Sequence, residues 1–569
     1  MSSAVQTFQM LDERLAISDS VKFAVEVSGQ SQNQQVFTSQ TASTSQVTAN
    51  CLIPSLQTVI DKRVQIRTRF TIAITGTTNA NATKLISYPE NLVFSAFPFS
   101  QMVQTLTAQV NNTSLNSNYE ANLALMLRQM SPSELAKYSD CSPTQLDYYQ
   151  LATQAGTLDA HRSVDLTPDY DVKSRGSFRI VSIAGDSVAQ GVKTVLVTIE
   201  TTEPLFISPF QFGDANDQEA GLSGISSINF NFNIGASLIG RALTYKPLTA
   251  GDDISSVVLQ SFTSFQVLMT FLSPKPSQLI PLTNCQPYYE MPAYKTLNIS
   301  VVAAGATFQT TSSIVSPNCI PDAVYLFLRD ANLTADAQAK RNEQYYPISN
   351  VSVTWNTQSG LLASATQQTL YQMSKRRGLK MDWNQFIGSA QGPTAGATNA
   401  NPNVFATIPT TGGIVCLGFN TDISIMEQYY SASSLGLWSF SAQVTAVNNT
   451  ANPTVAVELV VVFFQSGIFQ STSGSSSQYI GVLSKEEVLR VSQQPYLTHS
   501  EHHRIVGAGN SFLANILKGS PARMASLVKD GGDSGGDSGG DSAGSMGMGM
   551  RRGGDSGGDS GGRRRPRCA

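Results

Sequence analysis

Charge is in short supply in this chain. Of its 569 residues only 14% are Asp, Glu, Lys or Arg, where an average soluble protein carries roughly 25%. The net charge is −3, so the body shows no bulk attraction for nucleic acid. Histidine is equally scarce: His161, His499, His502 and His503 are all there is. The cluster His499-Ser-Glu-His-His503 lacks the i, i+4 pair with intervening glutamate of a zinc protease helix, and it reads as a polar hinge. Cys51, Cys141, Cys285, Cys319, Cys416 and Cys568 are scattered, with no CxxC pair, which argues against zinc. No apolar run approaches the ~20 residues that span a bilayer. The N-terminus has no basic region followed by an apolar one, so a secretory signal is not expected, and reduced structural thiols are. No phosphate-binding glycine loop is present, and no cofactor or metal is implied.

Ser, Thr, Asn, Gln and Gly fill the space that charge leaves, beside 41% hydrophobic residues. Such a composition favours β-structure with many turns. It also suits surfaces buried against neighbours, since charged groups are costly to desolvate. Residues 64–75 alternate with period two, placing Val64, Ile66, Phe70, Ile72 and Ile74 on one face, the pattern of a half-buried strand. Gly76 is expected to stop it. Ile228, Phe230, Phe232 and Ile234 alternate in the same way. Further strands are expected at 102–110, 178–183, 192–199, 257–271, 296–302, 323–328, 348–355, 413–417, 437–447 and 455–464. In residues 119–137, Leu123, Met126, Leu127 and Met130 recur at helical spacing, which predicts a short helix packed on the β-core.

The chain therefore divides into an N-terminal arm (1–50), a first β-domain (51–250), a second (251–490) and a tail (491–569). Pro274, Pro276, Pro281 and Pro287 mark a candidate connection between the two domains. The segment 389–402 reads as a small-residue surface loop. In the tail, Gly532-Asp-Ser-Gly-Gly536 matches the nucleophile signature of trypsin-like proteases. It is only the frame of a Gly-Gly-Asp-Ser repeat, with no base or rigid scaffold to activate a serine. Such a segment cannot pack a core. Phe512, Leu513, Ile516 and Leu517 would share one helix face, a candidate contact with an inner membrane or a partner protein. Arg551, Arg552, Arg563, Arg564, Arg565 and Arg567 could neutralise nucleic-acid phosphates, although interleaved aspartates nearly balance them.

Several landmarks, in order, resemble the double jelly-roll major capsid proteins of polinton-like viruses, virophages and related adenovirus-like lineages. They are Pro54-Ser-Leu-Gln-Thr-Val-Ile-Asp-Lys-Arg63, Phe97-Pro-Phe99, Val110-Asn-Asn-Thr-Ser114, Glu203-Pro-Leu-Phe-Ile-Ser-Pro-Phe210 and Gly221-Leu-Ser-Gly-Ile225 in the first half. Ile320-Pro-Asp-Ala-Val-Tyr-Leu-Phe-Leu-Arg329, Ser359-Gly-Leu-Leu-Ala-Ser364, Leu370-Tyr-Gln-Met-Ser374 with Trp383-Asn-Gln-Phe386, Ser466-Gly-Ile-Phe469 and Tyr479-Ile-Gly-Val-Leu-Ser-Lys485 follow in the second. The resemblance implies an all-β chain of two consecutive jelly rolls, in which Glu203 to Phe210 closes the first barrel and 370–386 forms a loop of the second. It implies a structural protein of the virion rather than an enzyme, a homotrimer with lattice neighbours, and separate penton and minor capsid proteins. Synthesis would be in the host cytoplasm, with assembly there or in the nucleus. Ile505-Val-Gly-Ala-Gly509 matches the small-residue pattern cut by the maturation proteases of such viruses, between Ala508 and Gly509. Two other readings stay open: a β-rich receptor-binding spike or adhesin, and a carbohydrate-active β-sandwich enzyme with two facing carboxylates.

Overall fold

Period-two alternation becomes two stacked-sheet barrels. The computed structural model describes residues 31–78, 84–86, 92–94, 97–129, 178–185, 191–210, 221–245, 253–273, 283–298, 300–331, 345–393, 405–409, 412–425, 432–449 and 456–481. In the first barrel the strands are β1 (Ser31–Thr38), β2 (Gln46–Leu52), β3 (Gln65–Thr78), β4 (Val103–Val110), β5 (Thr113–Ser117), β6 (Gly191–Pro204), β7 (Ser227–Ile234) and β8 (Asp253–Ser273). They form two sheets, β1-β8-β3-β6 and β2-β7-β4-β5, with Phe178–Ala184 added outside β6. That strand order is a jelly roll.

The second barrel repeats it. Its first strand, β9, comes in two pieces, Thr283–Glu290 and Ala293–Asn298. Then follow β10 (Thr307–Thr311), β11 (Ala323–Asp330), β12 (Ile348–Trp355), β13 (Gln358–Leu361), β14 (Val415–Gly418), β15 (Phe440–Val447) and β16 (Val457–Thr472). The sheets are β9-β16-β11-β14 and β10-β15-β12-β13. All ladders between these strands are antiparallel.

The predicted apolar faces fill the space between each pair of sheets. Val64, Ile66, Phe70, Ile72 and Ile74 are fully buried, as are Ile228, Phe230 and Phe232. Rings bridge the sheets: Phe232 meets Phe265 at 5.4 Å in the first barrel, and Phe440 meets Phe463 at 5.1 Å in the second. Burying each such side chain stabilises by about 1.5–3 kcal/mol. Among the described residues, the barrels carry the helices α1 (Pro98–Met102), α2 (Tyr119–Gln129), α3 (Gln367–Arg376) and α4 (Trp383–Phe386), with a 3-10 helix at Ala236–Ala242. Leu123 and Met126 of the predicted helical stripe are buried core residues.

Several expectations change. Residues 31–50 are not an arm, because β1 lies along β8 and β2 along β7. Only the small side chains Val47, Ala49 and Cys51 point inward on β2, so its hydrophobic signal is weak. The first barrel does not end at 250. The 21-residue β8 pairs with β3, and three register shifts, at Ile254/Ser256, Leu259/Ser261 and Phe262/Ser264, blur its alternation. Glu203 to Phe210 does not close that barrel, since β7 and β8 come after it. Gly76 does not stop β3, which runs on to pair Thr78 with Gly191. β16 likewise continues through Ser466-Gly-Ile-Phe469 to Thr472. Residues 370–374 and 383–386 are helical, because Thr366 caps α3 and Asp382 makes a capping box with Gln385 on α4. Ser389–Pro393 is a strand paired with Phe405–Pro409, so the expected loop begins later. The 1–30 part of the arm, Pro274, Pro276, Pro281, the four histidines, Cys141, Cys568 and the tail from 482 onward lie outside the described residues.

Candidate functional site

The candidate working part is the junction that fixes one barrel against the other. It is made from the outer face of the β9-β16-β11 sheet. On β16, Val460, Val462 and Phe464 point away from their own barrel core, and on β11 so do Tyr325 and Phe327, which the register sets beside them. Every residue of β11 is buried, and so are residues 457–465 of β16. A sheet covered on both faces loses the alternation of a surface strand, which is why both read as continuous apolar runs.

Tyr345 of the second barrel packs edge-on against Phe327 at 5.4 Å, and further cover for this face comes from the first barrel. At one end, α2 brings Glu120 and the 3-10 helix brings Arg241. They meet Lys295 of β9, Arg329 of β11 and Glu458 of β16. Arg329 Nε donates to Glu458 at 2.5 Å, and its NH1 donates to the Glu120 carbonyl at 2.8 Å. Arg241 NH1 donates to the same carbonyl at 3.2 Å. Lys295 Nζ pairs with the Glu120 carboxylate at 2.5 Å, and Arg241 lies 3.7 Å from Glu458. Only Lys295, its side chain 28% exposed, opens to solvent. Burial alone would raise the Glu120 carboxyl, but Arg329, Arg241 and Lys295 together hold it below the usual carboxylate range. Burial, then the neighbouring Arg329, pulls Arg241 down to about 9, still charged at neutral pH. Buried ions are costly unless geometry and hydrogen bonds are good. Arg329 meets that condition through Glu458 and the Glu120 carbonyl, and the cluster as a whole sets three cations around two carboxylates.

The middle of the junction is the segment after β6. Glu203 is fully buried and accepts from the backbone amides of Phe99 and Ser100 at 2.8 Å each, from Ser100 Oγ at 2.6 Å and from Thr201 Oγ1 at 2.9 Å. It supplies the N-terminal cap that Phe97, in the left-handed region at φ 54°, cannot give α1. Phe206 packs edge-on against Phe97 and Tyr119, and its amide donates to Tyr119 Oη at 2.7 Å. Ser208 Oγ then accepts from the Tyr289 amide of the second barrel at 3.2 Å, where Tyr289 stacks on Phe464 at 5.1 Å. A small cleft remains here, between Asn122, Phe206 and Ser208 on one side and Tyr288, Tyr289 and Met291 on the other.

The far end is sewn by turns. Asn111, at φ 50°, ties the β4–β5 turn to Ser226, and Asn112 Oδ1 accepts the amide of Ser476 at 2.7 Å from the second barrel. Ser476 Oγ donates to the Val110 carbonyl at 2.6 Å, and Thr113 Oγ1 to the Ser476 carbonyl at 2.6 Å. Asn284 Nδ2 donates to the Gly221 carbonyl at 3.1 Å. Gly224 has φ +72°, and a Cβ there would stand 3.3 Å from the Ser473 amide, so this close backbone approach requires glycine.

The landmarks at 97–99, 110–114, 203–210 and 221–225 are thus pieces of one joint. The charged cluster was not visible in sequence. Its five residues are spread from 120 to 458, and the only local sign is an Arg or Glu inside an otherwise apolar strand, as at Arg329 and Glu458. The candidate cleavage pair Ala508 and Gly509, and Arg551, Arg552, Arg563, Arg564, Arg565 and Arg567, lie outside the described residues. Among the described residues, no group of three His, Cys, Asp or Glu could hold a metal ion, and no helix is long and apolar enough to cross a membrane.

Comparison with known proteins places this architecture. A family model described as the Sputnik virophage major capsid protein 1st domain matches residues 3–272, and one described as the major capsid protein V20 C-terminal domain matches residues 291–467. The chain is 26% identical over 507 residues to the Sputnik virophage protein described as "Putative capsid protein V20", spanning 87% of this chain and 83% of that one. The 3.5 Å cryo-EM structure of the Sputnik virophage gives a TM-score of 0.69 at 24% identity, over 88% of this chain and 98% of the other. The crystal structure of the mavirus major capsid protein gives 0.60 at 15% identity, over 87% and 99%. Both likenesses carry the double jelly-roll fold across the joint. With two domain models of one capsid protein matched end to end on two jelly rolls, the chain belongs to the virophage major capsid protein family and is a structural component of the virion.

Proposed function

We propose that the chain builds its shell as homotrimers. Three copies would set six barrels in a ring, filling a hexagonal lattice position with threefold symmetry. The observation that carries this is the repeat of one strand order in two barrels held side by side by a buried junction. A subunit with two equivalent barrels needs three copies, not six, to make a hexagonal tile. The low charge of the chain fits large subunit faces with apolar centres and polar rims. Its contribution is mechanical, with no catalytic step. Vertices of fivefold symmetry would need a separate penton protein, and minor proteins would brace the tiles. Negative-stain imaging of purified protein tests the reading. Hexagonal outlines averaging to threefold symmetry are expected, and single two-lobed particles would overturn it.

The tail carries two further proposals that rest on its sequence. A maturation protease cuts between Ala508 and Gly509, and the arginines at 551–552 and 563–567 touch the genome where they are retained. The intact mass of the protein from mature particles tests the first: a full-length mass excludes cleavage. Removing residues 551–569 tests the second, through packaged genome per particle.

A further inference from the structure

Asparagine is seldom buried, and a buried amide normally has all its hydrogen bonds made. Asn122, in α2, is only 2% exposed. It has no capping role, because Asn118 already caps this helix by accepting from the Ala121 amide at 3.3 Å. Asn122 Nδ2 donates to Ser117 Oγ at 3.5 Å, the outer limit of such a bond. Its Oδ1 accepts from nothing among the described residues. Turning the amide over would put Nδ2 in that place and leave it equally unpaired. The shortfall therefore belongs to the site and not to the orientation of the amide.

Asn122 lines the small cleft of the joint, together with Ser117 at the end of β5 and Ser208 on the segment after β6. These two serines are 9% and 4% exposed. Ser117 Oγ has only long bonds, to the Phe206 carbonyl at 3.4 Å and from Asn122. Ser208 Oγ accepts from the Tyr289 amide at 3.2 Å, and its own proton meets no acceptor among the described residues. Apolar side chains, Met126 and Met291 among them, wall the rest. The cleft leaves about 10 Å³ for the centre of a water molecule, close to what one buried water requires.

We propose that this cleft is the binding site of one structural water that bridges Asn122 and Ser208. The water donates to Asn122 Oδ1, accepts from the Ser208 hydroxyl and offers its second proton to Ser117 Oγ. Three bonds are usual for a buried water, and a bond made through water is nearly as favourable as a direct one. Ser208 in turn holds the Tyr289 amide of the second barrel, so the water completes a polar path from α2 across the joint. The site lies within one chain and stands whether or not copies assemble.

A structure of the full chain at a resolution that shows ordered solvent is the first test. A water within hydrogen-bond distance of both Asn122 and Ser208 is expected, and a dry cleft overturns the proposal. Thermal unfolding of full-chain variants is the second. Without the water, N122L replaces an unpaired amide by an apolar side chain of similar size and raises the midpoint. With it, N122L strands the water and lowers the midpoint by about 2 °C. S208A is expected to lower it too, and N122L/S208A to lose less than the two single losses together, because both act through one water. An N122L midpoint at or above that of the wild type, or losses that simply add, overturns the proposal.

Discussion

Arg329 and Glu120 belong to different barrels, yet the Arg329 guanidinium reaches both the Glu120 carbonyl, at 2.8 Å, and its carboxylate, at 3.4 Å. The same guanidinium binds Glu458 of its own sheet. One side chain thus joins a strand, its neighbour and the first turn of a helix 209 residues earlier in the chain. A planar fork with five donors can do this, and a lysine cannot.

Arg329→Met removes the shared donor and leaves Glu458 buried with poorer partners. Breaking a buried ion pair by deleting one partner costs about 3–5 kcal/mol. Chemical denaturation should show a loss of this size, and Arg329→Lys should recover little of it. An Arg329→Met chain as stable as wild type would show that the cluster does not hold the joint.

Acid should loosen the same joint. The Glu120 carboxyl is held below its ordinary value in the folded chain. The unfolded chain then binds its proton more readily, so stability rises with pH through this window. The contribution is complete above the unfolded value, about 4.3, and is lost as pH falls through the lower folded one. Glu120→Gln should flatten the acid limb of a stability–pH curve. An unchanged limb would count against the charge sharing described here.

Glu203 has the opposite sign. Burial raises its carboxyl despite the hydrogen bonds from Ser100, Phe99 and Thr201 that hold it down. The native state is then the better proton acceptor, and this group's contribution falls as pH rises from about 4.3 through the folded value. Glu203→Gln keeps the shape but turns an NH2 toward backbone donors. It should cost ~2 kcal/mol, lose that slope, and raise amide exchange at Phe99 and Ser100.

Much of this was legible in the sequence, and the failures have physical causes. Ile66 to Ile74 and Ile228 to Ile234 announced their strands because each has one wet face. β11 and β16 announced themselves as apolar runs, but nothing local says that their second face is covered by another barrel. β1 was missed because its Gln, Ser and Thr residues pair along β8 with few inward apolar side chains. β8 was cut short because its register shifts break the period. The joint was legible only as wording: Glu203 to Phe210 stood out, while its role as a cap for α1, more than a hundred residues upstream, needs the fold.

Thiol reactivity separates the cysteines. Burial pushes the Cys51 thiol up to about 12 and, with Asp322 and Glu290 nearby, Cys319 to about 11, whereas Cys285 is exposed. Brief maleimide treatment at pH 7.5 followed by peptide mapping should label Cys285 and spare Cys51, Cys319 and the buried Cys416. Rapid labelling of Cys51 in folded protein would mean that the β2–β7 pairing opens.

The solution mass of the purified full-length chain, by size-exclusion chromatography with light scattering, tests the central claim most directly. The account predicts a stable species of three times the 60.9 kDa chain. A monomer at every concentration, with the barrels folded, would contradict it.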